Sequence, residues 1–96
     1  MSEKQQLQQY LTGMHRHLSS LDELCESARH CLVHTQEAYS AALTNAKMHG
    51  ETLSEVEQQR YAGLIKEAQG NLAIAVDAKQ TFQTKLRQLE DRIAGL

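Results

Sequence analysis

Apolar side chains recur along this chain at alternating intervals of four and three residues. In the first half the series is Leu7, Leu11, Met14, Leu18, Leu21, Cys25, Ala28, Leu32, Thr35, Tyr39, Ala42 and Ala46. In the second half it is Tyr61, Ile65, Ala68, Leu72, Ala75, Lys79, Phe82, Leu86, Leu89, Ile93 and Leu96. Such spacing is the heptad seam of packed helices, with positions 7 and 61 at d and positions 11 and 65 at a. Thr35 and Lys79 are the two members whose chemistry interrupts it.

The stretch "KMHGETLSEVE" separates the two series. Gly50 is suited to the left-handed conformation that ends a helix. Ser54 followed by Glu57 has the spacing of a capping box that starts the next. A connection this short makes the two helices antiparallel neighbours. The expected fold is therefore all-α, a long antiparallel helical hairpin forming a single domain over 1–96. Its helices should lie near 3–49 and 54–95, with a turn at 50–53. An alternative comes from "SSLDE", where Ser20 and Glu23 form a second capping-box pattern downstream of Gly13. A break there, near Ser19, would give a three-helix bundle, although the heptad phase passes through it without resetting.

Two registers fit the seam. One sets Cys25 against Phe82 and Leu32 against Ala75, matching small residues with large ones. The other, one heptad away, sets Leu18 against Phe82 and Tyr39 against Tyr61 and is centred better on Gly50. Both are compatible with the sequence.

The seam leaves apolar residues over. Tyr10, Leu24, Cys31 and Ala38 occupy g positions of the first helix and Leu64 and Ala78 those of the second, while Ile74 and Val76 lie further round. A hairpin alone buries little surface per residue, so this surplus is expected to meet another helix surface. The expected partner is a second copy, giving a homodimeric four-helix bundle. A groove for the amphipathic helix of an unidentified protein is the other option.

Composition narrows the function. The 96 residues contain no proline and no tryptophan and carry a net charge of −2, so no global basic field exists to hold nucleic acid or an anionic membrane. The longest apolar run, Leu72 to Val76, is too short to span a bilayer, and "MSEKQQLQQY" lacks the apolar stretch of a signal peptide. Cys25 and Cys31, six apart on one helix, would sit roughly 9 Å apart, too far for a bridge. A cytoplasmic location is expected. The sequence contains no glycine-rich phosphate loop, HExxH, CxxC or repeated inward Glu-x-x-His, and its serines lack a loop-borne base, so no enzyme and no cofactor are expected.

Two constellations remain. In "RHCLVHTQE", His30 and His34 share the outer face of the first helix, and Glu26 and Glu37 would each bring a carboxylate; Cys31 lies on another face. This falls short of the convergent ligands a zinc site needs, so the pair is expected to be solvated. Arg16, His17, Lys85, Arg87 and Arg92, with Tyr10 for stacking, would lie towards the chain termini and offer a local nucleic-acid surface, but Glu3, Asp22, Glu90 and Asp91 share that end. The leading expectation is a non-catalytic interaction module of adaptor, chaperone or inhibitor type. A small RNA- or DNA-binding helical dimer is second, and a metal- or thiol-responsive sensor third.

Overall fold

The computed structural model describes residues 2–96. Two helices, α1 over Glu3–Met48 and α2 over Glu55–Ala94, pack as an antiparallel hairpin. Their ends fall within one residue of those expected. The three-helix alternative is corrected: α1 runs without interruption through Ser19 and Ser20. The Ser20 hydroxyl caps nothing and instead donates to the Arg16 carbonyl one turn back, at 3.4 Å. A serine can take this option inside a helix, and here the unbroken seam decides between the two.

The helix ends are closed by the residues' own chemistry. Gly50 has φ of 68°. Its N–H donates to the Lys47 carbonyl at 3.1 Å, and the Glu51 N–H donates to Ala46 at 2.8 Å, the paired bonds of a Schellman cap. At the start of α2 the Glu57 N–H donates to the Ser54 hydroxyl at 3.2 Å, while the Gln58 amide donates to the Leu53 carbonyl at 2.8 Å. The start of α1 carries a complete capping box: the Gln5 N–H donates to the Ser2 hydroxyl and the Ser2 N–H donates to the Gln5 side-chain oxygen, at 3.2 and 3.1 Å.

Every member of the two heptad series is buried or half-buried, except the last, Leu96. Among the described residues, Leu53 in the turn and Val76 are the only others that are not exposed. The chain divides into two compact units, Glu26–Ile74 around the turn and Met1–Cys25 with Ala75–Leu96 around the termini. In the turn half Ala68 is buried, and the rings of Tyr39 and Tyr61 meet edge to face with centroids 5.2 Å apart. The Arg60 guanidinium stands 5.6 Å from the Tyr61 ring centre. In the terminal half Met14, Cys25, Ala75, Leu86 and Ile93 are buried. There His17 meets the ring of Phe82 at 4.7 Å, two ion pairs cross between the helices, Asp22–Lys79 at 2.6 Å and Glu3–Arg92 at 3.2 Å, and the His15 ring lies 3.8 Å from the Glu90 carboxylate.

The Tyr39–Tyr61 and His17–Phe82 contacts select the register centred on Gly50 over the one that sets Cys25 against Phe82. The two interruptions of the seam are also accounted for. The Thr35 hydroxyl donates to the Cys31 carbonyl at 2.8 Å, hiding its polar atom within its own helix. Lys79 lays its stem along the seam and carries its ammonium out to Asp22.

Circular dichroism should show a nearly all-helical protein. Leu86→Ala, at a buried seam position, should lower the unfolding free energy by about 2–5 kcal/mol in urea titration. Leu18→Ala and Phe82→Ala, at half-buried positions, should cost less, and Gln9→Ala or Gln88→Ala, both exposed, should be nearly silent. Gly50→Ala should cost about 1 kcal/mol because its left-handed φ is retained at a Cβ penalty.

Candidate functional site: the outer faces of the hairpin

The residues expected on the surplus face lie in solvent. Leu24 is 52% exposed, Leu64 44% and Ile74 71%, and Tyr10, Cys31, Ala38 and Ala78 are exposed as well. Val76 differs from the rest. It occupies an e position on the opposite flank and is half-buried within the chain itself. Cys25 is buried in the seam, whereas Cys31 is exposed. Val33, Leu43, Met48 and Val56, none of them at a seam position, are further exposed apolar side chains.

The charge pattern separates the two flanks. From Gln6 through Met48, no g or c position of α1 holds Asp, Glu, Lys or Arg; His17 and His34 are the only titratable nitrogens there. The b and e positions of the same helix carry Asp22, Glu26, Arg29 and Lys47. Charge is depleted where a helix surface is covered and retained where it meets water. The g and c flank of α1 therefore has the composition of a covered surface, and its leucine and alanine side chains have no cover within the chain.

The histidine pair behaves as a solvated one. His30 lies 3.7 Å from the Glu26 carboxylate, which the Arg29 guanidinium already engages at 2.6 Å. His34 faces a different carboxylate, that of Glu37, at 3.9 Å. Among the described residues no three His, Cys, Asp or Glu side chains come together in a way that would hold a metal ion. His49, near the turn, points its Nδ1 at the Asn45 carbonyl, 2.8 Å away, and so uses its ring N–H on the helix end.

The basic residues do not gather. Arg16 falls at f, Lys85 and Arg92 at g and Arg87 at b, so the hairpin distributes them over different faces. His17 spends its ring on Phe82, and Arg92 is paired with Glu3. Arg16, Lys85 and Arg87 make no ion pair among the described residues, and Tyr10 is exposed without a ring neighbour there. A phosphate backbone is recognised by convergent cations, and the spacing here does not supply them on one side. A shallow depression beside the turn is lined by His49, Glu51, Ser54 and Glu57, among others, where the carboxylates repel an anion that the helix start would otherwise attract. Among the described residues no helix is long and apolar enough to cross a membrane.

Stoichiometric zinc or nickel should leave the melting temperature unchanged, and His30→Ala and His34→Ala should be neutral. Submicromolar binding by calorimetry that disappears in His34→Ala would overturn this arrangement. Comparison with protein-family models, with curated proteins and with solved structures found no match to this chain.

Proposed function

We propose that the chain is a non-catalytic protein–protein interaction module that works as a homodimer, two hairpins closing into a four-helix bundle. The observation that carries this reading is the uncharged g and c flank of α1, with Leu24 half out in water at its middle. Fully burying a leucine contributes roughly 1.5–3 kcal/mol. Leu24 and Leu64 are about half exposed in the hairpin, so the four of a dimer contribute roughly 3–6 kcal/mol, comparable to the lowest association cost of about 4 kcal/mol, provided the surrounding small residues allow close approach. Ala38, Ala78 and Cys31 are such residues. The remaining outer surface, with its mixed charges, stays available to other proteins, which suits an adaptor, a chaperone or an inhibitor. The dispersal of the basic residues over several faces places nucleic-acid binding behind this reading.

Sedimentation at micromolar concentration should give a dimer. Leu24→Glu puts a carboxylate where no cation faces it and should dissociate that dimer into a less stable, still helical monomer. A well-folded wild-type monomer whose sedimentation and melting Leu24→Glu leaves unchanged would sink the proposal.

A further inference from the structure

The outer stripe of α2 has a polarity that α1 lacks. Along its g and c positions the stretch before Ile74 holds Glu57, Arg60 and Glu67 and is acidic in sum, and the stretch after it holds Lys85 and Arg92 and is wholly basic. Ile74 and Ala78 lie between them without charge, and Ile74 is 71% exposed. Glu67 and Lys85 have no ion-pair or hydrogen-bond partner among the described residues. The midpoint between Glu67 and Lys85 falls at Val76, and that between Glu57 and Arg92 falls between Ile74 and Ala75. Apart from Arg60, the stripe is thus charge-complementary to its own reversed copy.

We infer that the second copy lies antiparallel to the first, α2 against the partner's α2 and α1 against the partner's α1, with the twofold axis beside Ile74. This rests on the dimer proposed above and specifies its geometry. In this arrangement Ile74 meets the partner's Ile74. Lys85 of each subunit reaches the partner's Glu67, and Arg92 comes level with the partner's Arg60, one turn from its Glu57. Arg92 keeps Glu3 of its own chain beside it, so the Lys85–Glu67 pair is the more informative of the two. Arg60, the remaining charge on the stripe, is turned to the Tyr61 ring of its own hairpin. The uncharged flank of α1 then covers its own copy, with Leu24 near the middle of that helix as Ile74 is near the middle of α2.

The other twofold arrangement lays α1 over the partner's α2. It would press Glu67 and Lys85 against the flank of α1 that offers no carboxylate, lysine or arginine between Gln6 and Met48. Charges would be desolvated there without opposite partners, which costs affinity and selects against that orientation.

Two measurements test the geometry. Gln9 is exposed at an f position, so Gln9→Cys in a Cys31→Ala background takes a spin label away from the contact face while buried Cys25 stays unreacted. Antiparallel copies should give an inter-label distance of about 45 Å or more, from the rise of 1.5 Å per residue on either side of the axis. Parallel copies would give less than about 30 Å, the width of a bundle whose helices are 8–10 Å apart, with label linkers added. Lys85→Glu should weaken the dimer about tenfold, and adding Glu67→Lys should restore it. Within one helix these two positions are too far apart to pair, so rescue reports a contact between subunits. A dimer with the short distance and no rescue overturns the antiparallel arrangement and leaves the dimer standing. A wild-type monomer removes both.

Discussion

Two helices have one shared line of contact, and everything else in this structure follows from how narrow that line is. Among the described residues no side chain is fully enclosed, and the six most buried all belong to the heptad series. Each helix can bury about two residues in seven against a single neighbour, so the hydrophobic term grows with the length of the seam and not with the depth of a core. Such an assembly is sensitive to continuity. A polar residue on the line must dispose of its polar atoms locally, as Thr35 does through the Cys31 carbonyl and Lys79 through Asp22. The ends must also be fixed, and they are fixed mostly by backbone chemistry: the Schellman cap at Gly50 and the hydroxyl caps at Ser2 and Ser54.

The same narrowness explains what the sequence disclosed and what it withheld. Period is a property of one helix, so the seam could be written out residue by residue, and each of its members but Leu96 leaves the solvent. Register is a property of two helices, and both candidate alignments kept the period. What distinguishes them is ring on ring at Tyr39 and Tyr61 and charge on charge at Asp22 and Lys79, which become visible when the partners are in place. The Ser20 pattern shows the reverse limit. A capping-box spacing is a local signal, and the helix overrode it because stopping there would have interrupted the burial of Leu18, Leu21 and Cys25. The Ser2–Gln5 box has the same spacing and is formed, because no seam residue precedes it to keep the helix going. Of the outer face, the positions of Leu24, Leu64 and Ile74 were legible. The half-burial of Val76 was not, because it depends on how far an e position leans towards the facing helix.

Charge, more than apolarity, gives the outer surface its direction. Exposed apolar side chains occur on several faces of the hairpin, from Val33 and Leu43 to Met48 and Val56. Single exposed residues of this sort are ordinary on protein surfaces. The uncharged run of g and c positions on α1 is different in kind, because helices facing water all round retain acids and bases on every outer face. Its counterpart on α2 holds charge at both ends, with opposite signs in sum. A uniform flank tells a partner where to lie, and a polarised one tells it which way to point.

The aromatic content has a consequence for watching this protein unfold. There is no tryptophan, and of the three tyrosines Tyr10 is in solvent while Tyr39 and Tyr61 meet each other in the half of the chain around the turn. Near-ultraviolet dichroism and tyrosine emission therefore follow that half almost alone. The terminal half, whose ring contact is between a histidine and a phenylalanine, is nearly silent to both. Far-ultraviolet signal, by contrast, weighs every helical residue equally. Coincident curves from the two probes would certify a cooperative transition, and curves that part company would give the order in which the two halves melt.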